Sequence, residues 1–120
     1  MTPYKLLVVE DDEPFVKIID LALRGLNFDF DVVQDGEAAI EKINDTHYDL
    51  VISDFRLPKM HGLDILKAVE HKSPDCKKIL VTAATEEMME PELSGLQLLG
   101  FLKKPLSPID LRHLVQQHFN

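Results

Sequence analysis

Three short apolar runs, "KLLVV" at 5–9, "DLVIS" at 49–53 and "KILVT" at 78–82, restrict the possible folds of this chain more than any other feature. Their Val, Ile and Leu residues are continuous rather than alternating with polar ones, the pattern of strands covered on both faces. "FDVV" (30–33) and "GFLK" (100–103) are weaker strand candidates. Between the runs the apolar spacing becomes helical. Phe15, Ile18, Ile19, Ala22, Leu23 and Leu26 fall at i, i+3, i+4, i+7, i+8 and i+11, one face of a helix. Asp35-Gly36 starts a second helix carrying Ala39, Ile40 and Ile43, and a third carries Leu63, Leu66 and Val69 before Ser73-Pro74. Ser107-Pro108-Ile109-Asp110 offers an N-cap, a proline at the first helical position and an acid at the third. Leu111, Leu114, Val115 and Phe119 follow as the buried stripe. Residues 85–100, "TEEMMEPELSGLQLLG", are the least regular; Pro91 and Gly95 predict a short or broken helix.

Strand followed by helix, five times over, predicts an α/β domain. Its doubly wound, five-stranded parallel sheet carries helices on both faces and right-handed crossovers. No linker, repeat or low-complexity tract interrupts it, so residues 1–120 are read as one domain with one core. No apolar run approaches the roughly 20 residues that span a bilayer. The start, "MTPYKLLVVEDD", is not a secretory signal. A net charge of −8 argues against gripping nucleic acid or an anionic membrane, and suits a cation or a basic partner. The single cysteine, Cys76, excludes an internal disulfide and fits the reducing cytoplasm.

The strand ends carry the chemistry. The first run is followed by Glu10-Asp11-Asp12, the third strand by Asp54, the fourth ends in Thr82-Ala83, and the fifth meets Lys103-Lys104-Pro105. Parallel strands put these ends on one edge, where ligands gather in such folds. Carboxylates in one pocket repel unless a cation neutralises them, and hard oxygen ligands suit Mg²⁺. A hydroxyl and an ammonium beside the ion complete a phosphoryl-transfer site in which an Asp carboxylate can be the nucleophile. Taken singly, the acids after the first strand can equally cap the helix that starts near Pro14.

These residues resemble the receiver domain of two-component response regulators over essentially the whole chain. "LLVVEDDEP" looks like that family's acidic-pair segment. "DLVISDFRLPKMHGLDIL" looks like its phosphoacceptor strand and loop, with Pro58 and Gly62 in matching places. "ILVTAA" puts Thr82 at the family's hydroxyl position, and "GFLKKP" puts Lys104 at its lysine position. The resemblance implies a flavodoxin-like (βα)5 fold and a signalling regulator that catalyses only its own phosphorylation and dephosphorylation. Asp54 would accept a phosphoryl group from a histidine kinase or histidine phosphotransfer protein. Mg²⁺ would be held by Asp11, Asp54 and the backbone carbonyl of Arg56, with Glu10 acting through water. Lys104 would pair with the phosphoryl oxygens, and Thr82 would move towards one of them, coupled to rotation of Phe101. A fourth helix–fifth strand–fifth helix surface would then signal to a downstream effector, with a second copy of the chain as a further partner. The Lys104–Pro105 bond is usually cis in the family.

Some positions depart from the family pattern. Phe101 replaces a frequent Tyr, and Leu96-Gln97-Leu98 replaces a small-Gly-small stretch. Met88, Met89, Leu93 and Leu96 are candidates for a partner surface, with core packing expected to take at least half of them. Arg56 and Ala84 lie where members of that family tune phosphoryl lifetime, in a direction the residues do not predict. Three rivals remain. An aspartate-nucleophile phosphohydrolase would carry a second Asp where this chain has Arg56. An FMN-binding module would need a phosphate loop where this chain has "EDDEP". A receiver-like interaction domain that works without phosphorylation would not need the intact acids, hydroxyl and lysine. His47, His61, His71, His113 and His118 show no metal-ligand spacing and are expected at or near the surface.

Overall fold

A computed structural model describes residues 2–83 and 96–119. Five parallel strands form one sheet: β1 (Tyr4–Val9), β2 (Phe28–Val33), β3 (Leu50–Asp54), β4 (Lys77–Thr82) and β5 (Gly100–Lys103). Their spatial order is β2-β1-β3-β4-β5. The chain therefore steps outwards from β1 to β2 and returns past β1 to β3. That reversal makes β1/β3 a topological switch point, the crevice where open α/β sheets bind ligands.

Helices α1 (Glu13–Leu23), α2 (Gly36–Asp45), α3 (Gly62–Lys72) and a C-terminal helix (Pro108–Gln116) flank the sheet. Strand alternation divides the core into two layers. Leu7 and Val9 of β1, Val51 of β3 and Leu80 of β4 pack with Ala39, Ile43, Leu66 and Val69 of α2 and α3. Leu6 and Val8, Leu50 and Ile52, and Ile79 and Val81 pack with Phe15, Ile19, Leu23, Leu111 and Val115 of α1 and the C-terminal helix. Both faces being covered explains the unbroken apolar runs. Each such side chain contributes roughly 1.5–3 kcal/mol on burial.

The helix starts follow the local chemistry. Asp35 accepts the Ala38 N–H at 2.8 Å, and Ser107 accepts the Asp110 N–H at 3.3 Å. Asp12 precedes α1 without any side-chain cap bond, so the acids after β1 are not used as a cap. Helix α1 stops at Leu23, earlier than the stripe through Leu26 predicts, because Gly25 turns to φ +87°. Leu26 still packs against the same layer from the loop. Arg112 donates to the Ala22 and Arg24 carbonyls at 3.1 and 2.7 Å, placing a cation at the negative end of α1.

Some features are not anticipated by the sequence patterns. Arg56–Leu57 and Met60–His61 form a two-residue antiparallel hairpin, with Lys59 at φ 68° in its turn. Lys78, 1% exposed, donates to the Cys76 carbonyl at 2.9 Å and pairs with Glu70 at 3.2 Å. The short or broken helix expected in 85–100 falls mainly on 84–95, outside the described residues, as do Ala84, Met88, Met89 and Leu93. Leu96 and Leu98 pack on the α2/α3 layer, and the Gln97 N–H donates to Glu70 at 3.2 Å. All five histidines are exposed. Cys76 is buried, which pushes its thiol up to about 12 and keeps it from reacting as a thiolate. Among the described residues, no helix is long and apolar enough to cross a membrane.

Candidate functional site

The strand registers assemble the site. Val9 lies opposite Ser53 in the β1/β3 pair, so Glu10 and Asp54, each one residue further on, leave the sheet side by side. Asp54 in turn lies opposite Val81, and Thr82 opposite Lys103. The Lys104 N–H donates to the Thr82 carbonyl at 2.9 Å, extending the β4/β5 ladder by one rung. Four strand ends thus meet at one edge.

Carboxylate oxygens of Glu10, Asp11 and Asp54 all lie within 4.8 Å of one another. Glu10 and Asp54 are buried and Asp11 is exposed, so the cluster has a wet side and a dry side. Lys104 Nζ sits 3.1 Å from Glu10 Oε1 and donates to Asp54 Oδ2 at 3.4 Å. It also lies 4.5 Å from the centroid of the Phe15 ring. The Asp12 N–H donates to the other Glu10 oxygen at 3.1 Å. Oε1 is fully buried, and the Lys104 ammonium is the group that faces it at 3.1 Å. A groove of about 400 Å³, lined by Asp12, Pro14, Phe15, Ile18, Lys104, Pro105 and Leu106, runs alongside.

The charges are under strain. Burial, then the neighbouring Asp54, raises Glu10 to about 7, against the pull of Lys104. Burial likewise raises Asp54, and Lys104 opposes it. The Lys104 ammonium is held above its ordinary value, because Glu10 and Asp54 outweigh its partial desolvation. Three carboxylates share one ammonium, which leaves an excess of negative charge at a partly buried edge. This donor set fits a hard divalent cation such as Mg²⁺.

The backbone beneath Asp54 is tightly specified. Ser53 Oγ donates to the Asp54 carbonyl at 3.0 Å, and the Gly62 N–H donates to the Phe55 carbonyl at 2.8 Å. A Cβ at Gly62 would lie 1.9 Å from that Asp54 carbonyl oxygen, so the close return of the hairpin requires glycine. The Lys104–Pro105 peptide is cis.

Of the residues singled out in the sequence, Glu10, Asp11, Asp54 and Lys104 come together, and Thr82 is buried at the adjacent strand end. The Arg56 side chain is exposed on the hairpin, 5.6 Å from the Phe55 ring centroid. Phe101 is half-buried against the α2/α3 layer, three residues before Lys104. Helical spacing places Phe15 on the core stripe and carries no sign of its position over the lysine.

Residues 6–116 match the family model described as the response regulator receiver domain. The chain belongs to the response regulator receiver domain family. This receiver domain is 30% identical over 114 residues to the alkaline phosphatase synthesis transcriptional regulatory protein PhoP of Bacillus subtilis, a match covering 93% of this chain and 47% of PhoP. The chain spans less than half the length of the curated relatives it matches. Its fold is also that of the chemotaxis response regulator CheY4 of Vibrio cholerae, with a TM-score of 0.84 and 25% identity, covering 97% of this chain and 98% of CheY4. A further fold match is the receiver domain of the sensor histidine kinase PA1611 from Pseudomonas aeruginosa PAO1. There the TM-score is 0.81 and the identity 23%, over 96% of both chains, and that structure has a magnesium ion coordinated in its active-site cleft. The order β2-β1-β3-β4-β5 is the CheY-like, flavodoxin-like arrangement that the family resemblance implies. A receiver domain is a signalling regulator of two-component systems rather than a metabolic enzyme, and the acidic cluster here is consistent with a phosphorylation site.

Proposed function

We propose that Asp54 is the phosphoacceptor of this receiver domain, loaded in a Mg²⁺-dependent reaction by a histidine kinase or histidine phosphotransfer protein. The observation that carries the reading is the joint approach of Glu10, Asp11 and Asp54 with Lys104 against two of them. An Asp54 oxygen attacks the phosphorus of a phosphohistidine; the P–O bond forms as the P–N bond breaks, and the imidazole leaves with a proton. The burial that raises Asp54 makes its ionised form costly without a cation, which couples attack to metal binding. Asp11, Asp54 and the Arg56 carbonyl are the proposed holders of Mg²⁺, with Glu10 acting through water. When bound, the ion supplies charge neutralisation for the transferring phosphoryl group. Lys104 pairs with a phosphoryl oxygen, since its ammonium already lies at the acceptor carboxylate. Thr82 then turns to another, and Phe101 follows, altering the surface that a cytoplasmic effector, or a second copy of the chain, reads.

Incubation with a small acyl phosphate and Mg²⁺, followed by intact-mass measurement, tests this. One phosphoryl group should be gained, and both Asp54→Ala and a chelator should abolish the gain. Uptake that persists in Asp54→Ala would move the acceptor elsewhere.

A further inference from the structure

We propose that Phe15 is a positioning residue for Lys104, holding the ammonium at the acceptor edge while the carboxylates turn to a cation. The inference rests on the phosphoacceptor reading above. Lysine is a point charge on a flexible four-carbon stem, so something must fix where its ammonium sits. Glu10 at 3.1 Å and Asp54 at 3.4 Å hold Nζ here, but both belong to the cluster that would serve a divalent ion. An ion there competes with the lysine for the same negative charge. The face of Phe15 is a different kind of partner. Its ring centroid is 4.5 Å from Nζ, and the quadrupole of an aromatic face attracts an ammonium but offers no lone pair to Mg²⁺.

The ring is itself immobilised. Phe15 is 5% exposed, on the first turn of α1 behind Pro14, and packs in the layer that includes Leu106. Leu106 follows the Lys104–Pro105 pair, so the ring shares a packed layer and a groove wall with the loop that carries the lysine, as well as facing its head group. An aliphatic side chain can also occupy a core position, with some loss of packing. Only an aromatic one also holds a cation.

The test combines spectra with binding. In the metal-free wild type, the Lys104 ε-methylene protons should be shifted upfield by the ring, and adding Mg²⁺ should leave that shift in place. With Mg²⁺ present, Phe15→Leu should weaken beryllofluoride binding roughly two- to fivefold, the range of a partly exposed cation–π contact, and Phe15→Trp should restore it. In a Lys104→Met background, Phe15→Leu should cause no further loss. Loss of the upfield shift on adding Mg²⁺, wild-type binding by Phe15→Leu, or an undiminished Phe15→Leu effect in Lys104→Met would each overturn the proposal. Failure of the wild type to bind beryllofluoride would instead defeat the phosphoacceptor reading, and the ε-proton shifts would still decide whether the ring retains the lysine.

Discussion

Gly62 and Asp54 are eight residues apart in sequence, yet the Gly62 Cα passes so near the main chain of Asp54 that a methyl group there would meet its carbonyl oxygen at 1.9 Å. The obstacle is main chain, so it cannot rotate aside. Gly62→Ala should cost about 1–3 kcal/mol, the usual penalty of overpacking. Urea unfolding should show a lower midpoint with an unchanged slope. Because the displaced group is the backbone of Asp54, the proposed acceptor, phosphoryl uptake should fall with stability. A variant with wild-type midpoint and uptake would mean that the hairpin moves away at no cost.

The buried Glu10 predicts a pH dependence in the metal-free protein. Its value rises from 4.5 to about 7 on folding, so the native state binds this proton more tightly than the unfolded chain. Between those values the native state carries the extra proton, and stability falls as pH rises. The penalty is absent below 4.5 and complete above about 7. Asp54, also raised, contributes with the same sign. Unfolding in chelator across this range should show the decline, and Glu10→Gln should reduce it. Mg²⁺ affinity should move the other way, tightening as Glu10 ionises. An undiminished slope in Glu10→Gln would clear this residue of the effect.

Lys78 and Glu70 give an asymmetric prediction. The ammonium is nearly inaccessible, whereas Glu70 is at the surface and also accepts the Gln97 N–H. Removing the acid strands a buried charge and loosens the approach to β5. Replacing the lysine by an apolar chain of similar length removes the need for a partner. Lys78→Met should therefore stay within about 1 kcal/mol of wild type, while Glu70→Ala should lower the urea midpoint clearly. Equal losses in both variants would contradict this ranking.

Much of this molecule is legible in its sequence, and the unreadable parts share a cause. "KLLVV", "DLVIS" and "KILVT" locate β1, β3 and β4 within a residue or two, because burial on both faces demands continuous apolar chains. Asp54, Glu10, Asp11 and Lys104 could be grouped because parallel strands bring their ends to one edge. Strand order could not be read in full: the weaker runs suit the two edge positions that β2 and β5 take, but apolar pattern alone does not order the three central strands. Nor could the division of labour among the acids: nothing local distinguishes Glu10, 2% exposed, from its exposed neighbour Asp11. Lys78 reads as an ordinary strand-edge cation until α3 places Glu70 over it. Phe15 reads as core, and is core, but its ring has a second face. These are tertiary facts, fixed by residues far away in the chain.

Phe101 and Leu102 are consecutive, and the pleat sends them to opposite sides: Phe101 to the α2/α3 layer, Leu102 to the layer of α1 and the C-terminal helix. The sheet is thereby a partition between two compartments. The proposed turn of Phe101 and the seat of the Lys104 ammonium over Phe15 therefore lie in different compartments, and the end of β5 is the piece of chain that joins them.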